Sequence, residues 1–92
     1  MSRLDEDAIT AALEDSDWAR EDDAITREWK LDDFAAALAF VQDVGELAEA
    51  ADHHPDILVH GYNHVRITLS THSEGGITQA DLDLAHQIDQ AV

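Results

Sequence analysis

The stretch that decides the fold is residues 49–72, which read Glu49-Ala-Ala-Asp-His53-His54-Pro55-Asp-Ile-Leu-Val-His-Gly-Tyr-Asn-His-Val-Arg-Ile-Thr-Leu-Ser-Thr-His72. Its last third alternates between apolar and polar residues, which is typical of a strand with one buried face. Its first third ends a helix, because His54 precedes a proline and that position avoids helical geometry. The predicted elements are a short strand at 57–59, a turn at 60–61 and a strand at 64–71, with His72 ending that strand on its polar face.

Apolar periodicity predicts three helices and two further strands elsewhere in the chain. The predicted elements are helices at 4–14, 32–51 and 79–91 and strands at 18–20 and 24–31, with Val92 extending the apolar stripe of the last helix. Arg27 falls on the apolar face of its strand, so it either reaches the sheet edge by snorkelling or lies near a functional cleft. The order of elements predicts a single α+β domain over residues 1–92, with a four-stranded, mainly antiparallel sheet and helices packed on one face (helix-β-β-helix-β-β-helix).

The composition describes a small, acidic chain without cysteine. Its 92 residues carry a formal net charge of −16, and the acidic residues are dispersed along the chain. This charge opposes binding to nucleic acid, and the lack of cysteine excludes disulfides, Cys-ligated zinc and thiol catalysis. There is no apolar run of membrane-spanning length and no secretory pattern, so we expect a cytoplasmic protein without a membrane partner. The charge favours a halophile-like, salt-rich setting over an ordinary acidic protein.

Three of the six histidines lie at the two ends of the opening stretch and form the candidate site. Glu49 and His53 are four residues apart on a helical turn, so we expect Glu49 to orient the imidazole of His53. His54 projects differently because the chain is leaving the helix, and His72 arrives from a strand end. Imidazoles titrate near neutral pH, so three of them in one cleft suit general acid–base catalysis.

Two other interpretations of these histidines stay open. They are either surface and capping residues or ligands of a metal, since imidazole is a common zinc ligand. Adjacent histidines seldom bind one metal together, so we expect no bound metal. Asp81 is most simply a helix cap, although it is also placed to orient His72 across the loop. The remaining histidines are predicted to be solvated: His60, His64 and His86.

The candidate site also carries a family resemblance. The pattern Glu49-x-x-x-His53-His54-Pro55, six residues, Tyr62, nine residues, His72, eight residues, Asp81 resembles the signature of the pterin-4a-carbinolamine dehydratases. The resemblance continues in Trp18, Ile25, Arg27, Trp29, Phe34, Ala37, Phe40, Val44, residues 69–72 and 76–78, Leu84 and Ala85. The departures are a tryptophan at 29, where phenylalanine is more usual, and a segment before Tyr62 that is one residue longer than in the animal members.

The resemblance implies a fold and an activity. The fold is a four-stranded antiparallel sheet with helices on one side. The activity is removal of water from a 4a-hydroxytetrahydropterin, giving the quinonoid dihydropterin without metal or cofactor. His53 and His72 would be the acid–base pair, and His54 would orient the pterin or share the base role. Glu49 and Asp81 would orient the histidines, with Pro55 beside the substrate.

Family resemblance also bears on partners. Family members are dimers or tetramers, so it implies a homodimer or homotetramer whose small-molecule partner is a pterin. Some relatives are similar to transcription coactivators or assembly chaperones, so a non-catalytic pterin-binding or protein-binding module on the same fold is the alternative. The sequence leaves open which pterin is used and which histidine is the acid.

Overall fold

The protein is described by a computed structural model that covers residues 3–91. Its elements are α1 (Glu6–Leu13), β1 (Ala19–Glu21), β2 (Ala24–Lys30), α2 (Phe34–Ala51), β3 (Asp56–His60), β4 (His64–Leu69), a 3₁₀ turn (His72–Glu74) and α3 (Gln79–Gln90). The predicted order of helices and strands is confirmed, and so is the α+β class. The predicted contribution of Val92 to the last helix lies outside the described residues.

The four strands form one antiparallel sheet in the order β1-β2-β4-β3. β4 is central, and its apolar residues pair with apolar residues on both sides, as in Ile25 opposite Leu69 and Ile57 opposite Ile67. Because side chains alternate along a strand, this register places one apolar face toward the helices and one polar face outward.

The core lies between the apolar sheet face and the helices. It consists of Ile9, Trp18, Ile25, Trp29, Ala37, Phe40, Val44, Ala48, Val65, Ile67, Leu69, Ile77, Leu84, Ala85 and Ile88. Ala37, Phe40, Val44 and Ala48 recur at three- and four-residue steps on α2, which is the spacing of a helix that buries one side. The helix ends that carry the candidate site are thereby fixed to the sheet.

Arg27 has a structural role on the apolar face of β2. Its guanidinium lies 4.7 Å from the centroid of the Trp29 ring, and its Nη1 donates to Asp89 Oδ1 at 2.7 Å. Trp29 in turn packs edge-on against Trp18, with ring centroids 5.6 Å apart and planes at 78°. The arginine therefore covers an aromatic cluster and pairs its charge with α3, which accounts for its irregular position.

The turn between β3 and β4 is tied to the end of β2. Gly61 and Tyr62 both have positive φ angles, 54° and 58°. Buried Asn63 donates from its side chain to the carbonyl of Leu31 at 3.0 Å, and its own carbonyl accepts from the Leu31 amide at 2.8 Å. These bonds fix the turn relative to β2. Across residues 3–91, no helix combines the length and apolar character needed to cross a bilayer.

Candidate active site

The end of α2 decides where His53 and His54 point. Asp52 adopts the left-handed conformation, with φ 50° and ψ 44°, directly after the last helical residue. The amide of Asp52 donates to the Glu49 carbonyl at 3.1 Å, and the amide of His53 donates to the Ala48 carbonyl at 3.0 Å. This pair of bonds is the Schellman arrangement, which turns the chain sharply away from the helix axis. Aspartate tolerates the left-handed region better than most residues.

This turn changes the predicted partner of Glu49. Glu49 Oε2 accepts from Nε2 of His54 at 2.5 Å, so its partner is His54 rather than His53. The prediction failed because it continued the helix to residue 53, whereas the left-handed Asp52 removes His53 from the helical face. The side chain of His54, rather than that of His53, contacts Glu49 in the last turn of α2. Both side chains of the Glu49–His54 pair are exposed to solvent.

His53 is held instead by Asp81. Nε2 of His53 lies 2.5 Å from Asp81 Oδ1, and the two side chains are 15% and 0% exposed. Oδ2 of Asp81 accepts from the Thr78 amide at 2.9 Å and from the Thr71 hydroxyl at 2.9 Å. A fully buried carboxylate with three donors is satisfied. Asp81 engages Nε2 of His53, so Nδ1 is the ring nitrogen that Asp81 does not contact.

Asp81 therefore has both predicted kinds of role, but with a different histidine. It accepts the backbone bond of Thr78 at the start of α3, as the capping prediction requires. The imidazole that Asp81 orients is that of His53. The sequence had predicted His72 in that position.

His72 lies near this network through its chain neighbour. Thr71 donates to Asp81, and the Thr71 and Thr78 hydroxyls are 2.8 Å apart. His72 follows Thr71 and is exposed. The prediction that it ends a strand was wrong: β4 stops at Leu69, and His72 begins the 3₁₀ turn. Thr71 forms an isolated antiparallel bridge with Gly76, so the chain reverses over residues 72–75 and His72 lies at the start of that reversal.

The surroundings of His54 favour its protonated form. The hydrogen bond that His54 donates to Glu49 raises the pKa of His54 above its usual value, and the nearby charges of Glu49 and Asp52 act in the same direction. His54 therefore keeps a proton at higher pH than a free histidine. An exposed imidazole with a raised pKa next to a largely buried imidazole offers two neighbouring groups that can donate or accept protons.

Two residues of the signature lie at opposite ends of β3. Pro55 is half buried directly before β3 and separates it from the histidine pair. Tyr62 lies in the turn beyond the far end of β3 and is 65% exposed. Pro55 therefore lies at the end of β3 that carries His53 and His54, whereas Tyr62 lies beyond the opposite end of that strand.

Sequence reasoning missed the two threonines that complete the network. Thr71 and Thr78 lie seven residues apart around a Gly-Gly loop, and the bridge between Thr71 and Gly76 closes that loop. The available signal was the pair of hydroxyl residues flanking the glycines. His60 and His64 were predicted to be solvated; His60 is exposed and His64 is partly exposed, and both also contact Glu28, which the sequence did not predict.

Comparison with known proteins identifies the family. A sequence profile described as pterin 4 alpha carbinolamine dehydratase matches residues 2–91. The chain belongs to this family. A relative from Chloroflexus aurantiacus, named as an inferred pterin-4-alpha-carbinolamine dehydratase, is 48% identical over 91 residues, which are 98% of this chain and 97% of the relative. The corresponding protein of Nocardia farcinica is 49% identical, over 95% of this chain and 92% of its own.

Further similar proteins include a relative from Halobacterium salinarum and two solved structures. The protein of Halobacterium salinarum with the same name is 40% identical, covering 95% of this chain and 93% of its own. A crystal structure titled transcriptional coactivator/pterin dehydratase, from Brucella melitensis, is 38% identical with a TM-score of 0.91 and 98% of both chains covered. A pterin dehydratase-like protein identified as a RuBisCO assembly factor has a TM-score of 0.65 at 21% identity, covering 80% of this chain and 84% of its own. That last likeness concerns the fold alone.

Proposed function

We propose that this protein is a 4a-hydroxytetrahydrobiopterin dehydratase, a hydro-lyase that acts on a 4a-hydroxytetrahydropterin. The observation that carries the proposal is the largely buried His53, whose imidazole is oriented by the fully buried Asp81 and which is followed directly by His54, whose pKa is raised by Glu49. Family membership supplies the substrate class. The reaction breaks the C4a–O bond, removes the proton of N5 and forms the C4a=N5 double bond, so water and the quinonoid dihydropterin are the products.

His53 and His72 are the acid–base pair in this proposal. One of them protonates the leaving C4a hydroxyl, and the other accepts the N5 proton. The Asp81 carboxylate favours a single tautomer of His53 and stabilises its imidazolium when a proton is taken up. These two proton transfers accompany cleavage of the C4a–O bond and formation of the C4a=N5 bond, and the proposal assigns no step to a metal or cofactor.

His54 binds and orients the pterin in this proposal. The raised pKa of His54, caused by Glu49, favours its protonated form, which donates hydrogen bonds and suits the electron-rich carbonyl and ring nitrogens of a pterin. Glu49 thus acts through His54 as a positioning residue. Pro55 fixes the direction in which the chain leaves the histidine pair and lies at the edge of the proposed pterin site.

The test is a turnover assay with a 4a-carbinolamine, following loss of its absorbance. We expect the wild-type protein to accelerate this loss, and His53→Ala and His72→Ala to reduce kcat by roughly 10²–10⁴-fold, the range of general acid–base catalysis. His54→Ala should act mainly on KM. His86→Ala is the matched control, since His86 is an exposed histidine on α3. Wild-type rates in His53→Ala and His72→Ala would refute these roles.

We further propose that the chain forms a homodimer or homotetramer through α2. Phe34 and Leu38 lie one helical turn apart and are 51% and 46% exposed. Two large apolar side chains on one exposed helix face favour burial against another surface. Leu38→Glu should lower the mass measured by sedimentation. If the wild-type protein and Leu38→Glu both sediment with the mass of a single chain, the proposal is refuted.

The same exposed pair supports a second candidate function, a non-catalytic pterin- or protein-binding module in the manner of an assembly factor or coactivator. The two candidates differ in turnover. Absence of turnover, together with a stoichiometric protein partner that Leu38→Glu no longer retains, would favour the second function. Turnover by the wild-type protein would favour the dehydratase.

A further inference from the structure

A second group of ionisable side chains lies on the open face of the sheet, away from the helices. His60 and His64 are register partners on β3 and β4, and Glu28 reaches them from β2. Nε2 of His60 is 2.8 Å from Glu28 Oε1, and Nδ1 of His64 is 3.4 Å from Glu28 Oε2. The two imidazole rings stack with centroids 5.2 Å apart. Three strands thus contribute one ligand-type side chain each.

We propose that Glu28, His60 and His64 form a binding site for a divalent transition metal, with Zn²⁺ as the ion. Two imidazole nitrogens and one carboxylate oxygen, each from a different side chain, lie within 4.8 Å of one another. A tetrahedral Zn²⁺ with bonds of about 2.0–2.2 Å places its ligands about 3.3 Å apart. The required contraction is at most about 1.5 Å, which side-chain rotation supplies at an exposed position. Water completes the coordination.

The paired strands fix the backbone positions of Glu28, His60 and His64 before any ion binds. The turn between His60 and His64 is fixed by the two bonds that join Asn63 to Leu31, the residue after β2. Glu28 is on that same strand, so the carboxylate and the imidazoles share one rigid frame. A site on paired strands loses little conformational entropy when it binds an ion.

The charges around the group favour a cation. Arg66 is the register partner of Glu28, but its guanidinium bonds to Glu21 and Thr26 instead, so it leaves the Glu28 carboxylate to the histidines. Lys30, the register partner of His64, opposes a cation. The net charge of −16 over the chain outweighs that single lysine at long range.

The proposed metal site is separate from the dehydratase site. His60 ends β3, whereas His54 and Pro55 precede its start at Asp56. Four residue steps of strand, roughly 13 Å at ~3.3 Å each, separate those ends. The proposal therefore does not depend on the dehydratase function, and each can fail without the other.

The test is titration of the full chain, prepared without a histidine tag, with Zn²⁺ against a chromophoric chelator. We expect one Zn²⁺ per chain, and a loss of affinity of at least about tenfold in His60→Ala, His64→Ala and Glu28→Gln. His86→Ala and His54→Ala should bind Zn²⁺ with a Kd within about twofold of the wild-type value. That is a smaller change than the tenfold loss, worth ~1.4 kcal/mol, that is expected for the ligand variants. These side chains are largely exposed, and circular dichroism checks that each variant folds.

A second measurement locates the ion directly. Zn²⁺ should shift the imidazole resonances of His60 and His64 in NMR spectra while those of His86 stay in place. No binding by the wild-type chain, binding lost only in His54→Ala, or equal binding by all variants would overturn the proposal.

Discussion

Oδ1 of Asp81 lies 2.5 Å from Nε2 of His53, although 28 positions separate the two residues in the chain. The other oxygen of Asp81 accepts the Thr78 amide at the start of α3. One buried carboxylate therefore begins a helix and also holds a candidate catalytic histidine at the end of a different helix. The orientation of His53 depends on α3 being docked.

Replacing Asp81 by asparagine should affect catalysis more than substrate binding. An amide can donate to Nε2 of His53 and so favour the wrong tautomer. We expect kcat to fall by roughly 10²–10⁴-fold with little change in KM. The free energy of unfolding in urea should fall by about 1–3 kcal/mol, because a buried network loses complementarity.

Asp83→Asn is the matched control for that variant, since Asp83 is an exposed aspartate on the same helix. It should retain both activity and stability. Reduced stability of Asp81→Asn with wild-type kcat would show that Asp81 is only a helix cap.

Replacing Glu49 by glutamine should lower the pKa of His54. The hydrogen bond that His54 donates to Glu49 is the largest cause of the raised His54 pKa, and a glutamine at 49 removes the negative charge of the acceptor. The bond stabilises the folded protein below the unfolded pKa of 6.5, and that contribution is lost as pH rises through the higher folded pKa. NMR titration of the His54 ring measures the shift, with Glu46→Gln on α2 as the control. An unchanged His54 pKa in Glu49→Gln would contradict this cause.

Asp52 should be replaceable by glycine but not by alanine. Its φ of 50° lies in the left-handed region, which costs an alanine about 1–2 kcal/mol and a glycine little. Denaturant unfolding should therefore rank Asp52→Gly above Asp52→Ala. Equal stability of the two variants would indicate that the helix ends differently in solution.

Salt should stabilise the protein. A net charge of −16 on 92 residues repels itself, and the screening length falls from ~10 Å at 0.1 M salt to ~3 Å at 1 M. We expect the melting temperature to rise over this range in KCl. A melting temperature that stays constant or falls would count against a salt-adapted surface.

The sequence predicted the fold more fully than the site, for physical reasons. Hydrophobic periodicity is a property of each segment, so the order of helices and strands follows from it directly. The partners of His53 and His54 depend instead on the single backbone conformation of Asp52, a residue that only sometimes enters the left-handed region. Because Asp52 is left-handed, Glu49 pairs with His54 rather than with His53, and Asp81 holds His53 rather than His72.

The site on the open sheet face was also within reach of the sequence. His60 and His64 flank a three-residue turn, so a hairpin makes them cross-strand neighbours. Glu28 was harder to place, because its proximity depends on β2 pairing with β4 rather than with β3. That pairing is a long-range choice that no local pattern specifies.

The two tryptophans near Arg27 provide an intrinsic spectroscopic signal for folding. Both tryptophans of the protein, Trp18 and Trp29, are buried and in contact at right angles. Their fluorescence should be blue-shifted, and their near-ultraviolet dichroism should be strong in the folded chain. Both signals report on the contact between β2 and the segment preceding β1, so docking of the N-terminal part can be followed without any added label.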